Sequence, residues 1–167
     1  MEPRGRPLTG APARWAARCP GVPGLWDGRD IDAAYRAYFA LLGRAARSGL
    51  FDIMAHPDLI KVMGHRPSPA LALDALYEEA AEAFAAGGVA VEVSTAGLRK
   101  PVGEIYPDAA LAEMLVDAGA AFVLSSDAHA PELVGHEYDR AVDTMRQWGI
   151  DEVATFSGRS RTMEALG

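Results

Sequence analysis

The sequence has little of three things that mark particular classes of protein: cysteine, basic charge and long apolar runs. Cys19 is the only cysteine among 167 residues, which excludes an internal disulfide framework and a zinc site built from cysteines. The formal net charge of −7 leaves no basic surface of the kind that nucleic-acid binding requires. We therefore expect a protein of the reducing cytoplasm that does not bind nucleic acid.

The apolar runs are too short to span a bilayer, and residues 1–23 contain no continuous apolar stretch of a secretory signal. Half of the residues are nevertheless hydrophobic, which is enough for one domain with a core. Residues 1–29 are rich in Pro, Gly and Arg, and we predict an irregular segment there. The folded domain is predicted to occupy residues 30–167, with no membrane contact.

Helices and strands are predicted to alternate along this domain. Asp30 is a candidate helix cap before an amphipathic segment that Gly49 ends, and Ser68 followed by Pro69 has the form of a second helix start. The predicted helices are 31–45, 69–86, 109–118, 132–148 and a last turn at 161–166, and the predicted strands are 50–55, 89–94, 121–125 and 152–156. Because these strands are hydrophobic throughout, the pattern predicts an α/β fold of about four parallel strands covered by helices, half of an eight-stranded barrel.

Polar side chains follow three of the predicted strands, where parallel α/β folds place their functional sites. Asp127 and His129 follow the third strand, and their spacing turns both side chains to one side of an extended segment. Together with His56 after the first strand, they would suit a divalent ion such as Zn, Mn or Fe. The alternative is that Asp127 caps the next helix and His129 is an exposed loop residue.

Two cations, Arg99 and Lys100, follow the second strand beside Gly97 and offer a phosphate site, or else a solvated basic loop. Asp58 either orients His56 through a ring nitrogen or caps the turn that follows it. Glu92, within the second strand, either supports metal ligands from behind or is a structural carboxylate. No metal-binding role is assigned to the two remaining histidines, which have polar loop contexts.

Four segments together resemble the successive C-terminal motifs of histidinol-phosphatases of the PHP (polymerase and histidinol phosphatase) superfamily. They read FDIMAHPDLIK at 51–61, VEVSTAGLRK at 91–100, EIYP at 104–107 and SDAH at 126–129. The resemblance extends over about residues 31–156, and the order and spacing of the segments match as well. Four linked motifs are far more specific than any one of them.

This resemblance implies a distorted TIM-like barrel with up to three divalent metals at the strand ends. It implies removal of phosphate from L-histidinol phosphate in histidine biosynthesis, with a metal-bound water as the nucleophile and no side-chain nucleophile. Carried over by position, His56, Asp127 and His129 fall on metal ligands of the family. Arg99 falls on a phosphate-binding arginine, with Lys100 beside it.

The sequence departs from the family at its start. Family members begin with an H-x-H strand and further ligands, whereas no histidine precedes His56 here. We therefore expect only the C-terminal part of a PHP domain, with self-association or a complementary half supplying the rest of the site. The alternatives are a PHP phosphoesterase with another substrate, and a non-catalytic remnant that binds a phosphate metabolite or a partner protein.

Overall fold

A computed structural model of the chain describes residues 28–167. Most of the segment predicted to be irregular, 1–27, lies outside the described residues. Within the described part no helix is long and apolar enough to cross a membrane. Helices and strands alternate as predicted except at the end of the chain, where two strands follow each other, so the class is mixed α/β.

The elements in chain order begin with α1 (Ile31–Ala46), β1 (Ile53–Met54), α2 (Leu73–Gly87) and β2 (Ala90–Ser94). They continue with α3 (Ala109–Asp117), β3 (Phe122–Ser125), α4 (Tyr138–Gln147), β4 (Glu152–Ser157) and β5 (Ser160–Ala165). Three short 3-10 helices lie in the loops at Leu59–Lys61, Thr95–Arg99 and Pro131–Leu133.

One parallel sheet has the strand order β1-β2-β3, with Met54 opposite Val91 and Ser94 opposite Ser125. The central strand β2 is buried along its whole length, and its apolar residues Ala90, Val91 and Val93 do not alternate regularly with polar ones. Helix α1 packs on α2, where the rings of Phe39 and Tyr77 meet edge to face with centroids 5.3 Å apart. Helix α2 in turn packs on α3.

The prediction of a fourth parallel strand is wrong. Strand β4 pairs in antiparallel fashion with β5, and the two form a separate sheet. A last helical turn was predicted at 161–166, where β5 lies instead. The two-residue loop begins with Gly158 at a φ of +60°, as two-residue hairpin loops favour. Met163 and Ala165 alternate with the polar residues Thr162 and Glu164 at the period of a strand.

The start of the second helix was also predicted too early. Helix α2 begins at Leu73 without a side-chain cap, whereas Ser68 binds the carboxylate of Asp32 on α1. The N–H and the hydroxyl of Ser68 donate to Asp32 at 2.7 and 2.6 Å, so these bonds connect Ser68 to α1 rather than to the start of α2. By contrast, Asp30 and Asp108 cap α1 and α3 as predicted.

The fourth predicted helix, 132–148, is shorter in the structure and begins at Tyr138. Gly135 interrupts it with a φ of +73°, and its N–H donates to the hydroxyl of Ser126 rather than to a helical carbonyl. The first predicted strand, 50–55, is likewise reduced to Ile53–Met54.

Candidate functional site

The ends of the three parallel strands carry the polar residues of the candidate site. The register brings the ends of β1, β2 and β3 to one edge of the sheet, as predicted. His56 follows β1 by two residues, and Ser126 and Asp127 follow β3 directly. The 3-10 helix that ends at Arg99 leaves β2 at the same edge.

His56 is held by the central strand. Its backbone N–H donates to Oε2 of Glu92 at 2.6 Å, and its φ is +29°, in the left-handed region that non-glycine residues rarely adopt. Its ring lies nearly perpendicular to that of Tyr106, with centroids 6.4 Å apart. Glu92 is therefore a buried, hydrogen-bonded carboxylate that fixes the backbone at His56.

Asp127 and His129 lie together, as their spacing suggested. Oδ1 of Asp127 is 3.3 Å from Nε2 of His129, whose side chain is 82 % exposed. Asp127 also has a left-handed backbone, with φ +45°, and its N–H donates to the hydroxyl of Ser125 at 2.9 Å. It caps neither of the helical segments that follow it, whose caps are Ala130 and Glu137.

Carboxylate and imidazole donors suit a borderline divalent ion, and Asp127 and His129 offer one of each. Such an ion takes four to six donors. Among residues 28–167, however, no group of three or more His, Cys, Asp or Glu side chains is placed to hold a metal ion.

Arg99 is tied to the segment that carries Asp127. Its Nη2 donates to the backbone oxygens of Ser126 at 2.7 Å and of Asp127 at 3.3 Å. Its Nη1 is buried and has no hydrogen-bond partner within the described range 28–167. Within the described residues, the Nη2 group of Arg99 is thus anchored and the Nη1 group retains donors. The neighbouring Lys100 has an exposed side chain.

Asp58 lies in a buried ion cluster. Its Oδ2 is 2.7 Å from Nζ of Lys61 and accepts the N–H of Asp108 at 2.7 Å. Its Oδ1 has no hydrogen-bond partner in the described part of the chain, so neither oxygen bonds to the ring of His56. Burial raises the pKa of Asp58, and the nearby Lys61 opposes that rise.

Two residues beside the site, Lys61 and Tyr106, were not predicted individually from the sequence. Lys61 is only 1 % exposed and also lies 3.1 Å from Glu104 and 3.7 Å from Asp108. The three-residue spacing of Asp58 and Lys61 was visible, but their burial was not. Tyr106 is fully buried, and in the sequence it stands out only as part of the EIYP segment.

This chain is similar to two curated relatives, both named probable histidinol-phosphatase. The relative from Deinococcus radiodurans is 43 % identical over 136 residues, which are 81 % of this chain and 50 % of that protein. The relative from Schizosaccharomyces pombe is 38 % identical over 64 residues, which are 38 % of this chain and 21 % of that protein. No family model matches the chain.

The chain thus spans about half the length of the first relative, or less in the case of the second. The similarity to the Deinococcus protein extends over most of this chain.

Proposed function

We propose that this chain is the C-terminal part of a PHP-type phosphomonoester hydrolase whose substrate is L-histidinol phosphate. The observation that carries the proposal is the position of Arg99, whose guanidinium is bound to the backbone at Ser126 and Asp127. It also has a buried donor, Nη1, that meets no hydrogen-bond partner among residues 28–167. The names of the two relatives, both probable histidinol-phosphatase, support this reaction class and substrate.

Arg99 suits a phosphate for two physical reasons. A guanidinium presents several N–H donors in one plane, which matches two oxygens of a phosphate. The bonds to two backbone carbonyls also hold the group in place, so that little side-chain freedom is lost when an anion binds. Lys100, being exposed, would add a more mobile positive charge at the same edge.

His56, Asp127 and His129 are proposed as this chain's metal donors, for Zn, Mn or Fe. Because the described residues do not gather three donors, further donors would have to come from elsewhere, such as a second copy of the chain or a complementary half. Glu92 would support this set through the backbone of His56. The function of Asp58 would be to hold the Lys61 cluster beneath the site.

Binding of inorganic phosphate to the full chain tests the anion site. In calorimetric titrations, Arg99→Gln is expected to weaken binding by about 10- to 100-fold, the loss typical of hydrogen bonds to a charged group. Lys100→Gln is the matched control, because it removes a neighbouring charge without touching the anchored guanidinium, and a smaller loss is expected. Equal losses in both variants, or no binding by the unsubstituted chain, would refute the role of Arg99.

Release of phosphate from L-histidinol phosphate, measured with and without added Zn²⁺, Mn²⁺ or Fe²⁺, tests the activity. His129→Ala should abolish metal-dependent turnover and reduce the bound metal measured by atomic emission. One second candidate is a phosphate-binding protein without catalysis, because phosphate binding by the anchored Arg99 requires no metal ion. Phosphate binding without turnover, with or without any of the three metal ions, would show that the second candidate function is the correct one.

A further inference from the structure

Tyr106 lies at the same sheet edge as His56, although it belongs to a different loop. It forms an antiparallel bridge with Ser94, the last residue of β2. The N–H of Tyr106 donates to the oxygen of Ser94 at 3.0 Å, and the N–H of Ser94 donates back at 2.9 Å. The backbone of Tyr106 is therefore fixed to the end of the central strand.

The ring of Tyr106 is enclosed by groups from three segments. His56 contacts it in a nearly perpendicular arrangement at 6.4 Å between centroids, and Nζ of Lys61 lies 5.6 Å from its centroid. Gly97 passes so close that an added Cβ would lie 3.0 Å from Cε2 and Cζ of the ring and 2.1 Å from the oxygen of Glu104. The ring is therefore buried among these groups and packed closely against them.

The hydroxyl of Tyr106 does not account for its burial. It is buried and has no hydrogen-bond partner among residues 28–167. A buried polar group without a partner costs stability, whereas the ring makes the packing contacts of this side chain. Perpendicular aromatic contacts of the kind made with His56 are favourable beyond the area they bury.

We infer that Tyr106 is a positioning residue, whose ring holds the imidazole of His56 in place at the sheet edge. The backbone of His56 is fixed by Glu92, but that hydrogen bond leaves its side-chain torsions free. The contact with Tyr106 restricts those torsions. The relevance to catalysis rests on the proposed function, which gives His56 a role as a metal donor, whereas the packing relationship does not depend on it.

The test is an NMR experiment on the full chain, labelled with ¹³C at Cε1 of histidine and treated with a chelator at one fixed pH. The four histidines give four signals, and the one lost in His56→Gln is that of His56. In Tyr106→Leu, which removes the ring, the His56 signal should shift by more than its linewidth or broaden. The signals of His65, His129 and His136 should stay in place and serve as internal controls for the fold.

The conservative variant Tyr106→Phe should restore the His56 signal to its original position and width, since it keeps the ring and removes only the unpaired hydroxyl. A merely structural role would shift all four signals or none. An unshifted His56 signal in Tyr106→Leu would overturn the inference, as would Tyr106→Phe shifting that signal as far as Tyr106→Leu does.

A measurement on the unsubstituted chain keeps the inference testable if Tyr106→Leu does not fold. Nuclear Overhauser contacts between the Tyr106 ring protons and the His56 ring protons are expected, and their absence would overturn the inference. Because neither metal nor phosphate is present, failure here is separable from failure of the phosphate-binding and turnover experiments.

Discussion

The backbone N–H of His56 donates to a carboxylate oxygen of Glu92 at 2.6 Å, so a buried side chain on β2 holds the residue that follows β1. His56 needs such support because a non-glycine residue in the left-handed region is strained by about 1–3 kcal/mol. The bond also links β1 to β2 beyond the two residue pairs, Ile53 with Ala90 and Met54 with Val91, that join these strands.

Removal of that acceptor should destabilise the fold measurably. Glu92→Ala leaves the N–H of His56 without its partner, and we expect a loss of about 2 kcal/mol in the free energy of unfolding. Glu92→Gln keeps an acceptor oxygen in a side chain of the same length, and the loss should be about 1 kcal/mol or less. Urea denaturation followed by circular dichroism measures both, and equal losses would mean that the hydrogen bond contributes little.

The buried ion pair of Lys61 and Asp58 can be tested by comparing the stability loss of a single variant with that of a double variant. Lys61→Met should cost about 3–5 kcal/mol, because it leaves the fully buried Asp58 without its cation. The double variant Asp58→Asn, Lys61→Met removes both charges, and we expect it to recover more than half of that loss. A double-mutant cycle in urea gives the coupling, and simple additivity of the two substitutions would contradict the buried pair.

Local patterns predicted those parts of the structure that depend on neighbouring residues. The caps Asp30 and Asp108 bind N–H groups two or three residues ahead, so their helices were readable from the sequence. The approach of His129 to Asp127 follows from a spacing of two residues in the same way. Local reading also placed the strand ends at one edge, because helices and strands alternate.

Contacts between distant residues were not predictable in this way. Ser68 has the sequence pattern of a helix cap, but its hydroxyl and N–H donate to Asp32 on another helix. Likewise, the anchoring of Arg99 depends on backbone oxygens that follow a different strand. A single sequence shows which residues can donate a hydrogen bond, but their acceptors depend on which distant residues the fold brings close.

Acid should weaken the fold through Glu104. Partial burial acts to raise its pKa, but hydrogen bonds from Arg66 and Lys61 outweigh that effect and lower the pKa below the ordinary 4.5. Since the folded state binds the proton less tightly than the unfolded state, this contribution to stability is present above pH 4.5 and is lost as the pH falls through the lowered pKa. The side chain is 44 % exposed, so solvent screening limits the contribution to about 1 kcal/mol.

Glu104→Gln is the matched variant for this pH dependence. The difference in unfolding free energy between the unsubstituted chain and Glu104→Gln should be constant above about pH 5 and shrink below pH 4.5. Urea titrations at a series of pH values measure it. A difference that stays constant down to about pH 3 would show that Glu104 has no lowered pKa in the folded chain.

At Gly87, the end of α2 lies so close to the end of α1 that there is no room for a side chain. A Cβ at this position would lie 2.0 Å from the oxygen of Ala46 and 2.7 Å from its carbonyl carbon, both backbone atoms that cannot turn away. Gly87→Ala should therefore cost about 2–3 kcal/mol, the upper part of the range for overpacking. Helix propensity alone predicts the opposite sign, since Ala is favoured over Gly within a helix by about 1 kcal/mol.

The next residue provides the control. Gly88 is the left-handed cap of α2, with φ +64° and no atom within 4 Å of an added Cβ, so Gly88→Asn should cost less than about 1 kcal/mol. Urea denaturation of the two variants separates steric contact from backbone conformation. A stabilised Gly87→Ala would show that propensity dominates and that the two helices are not in contact at Ala46, whereas a loss confined to Gly87→Ala would locate the closest approach of α1 and α2 there.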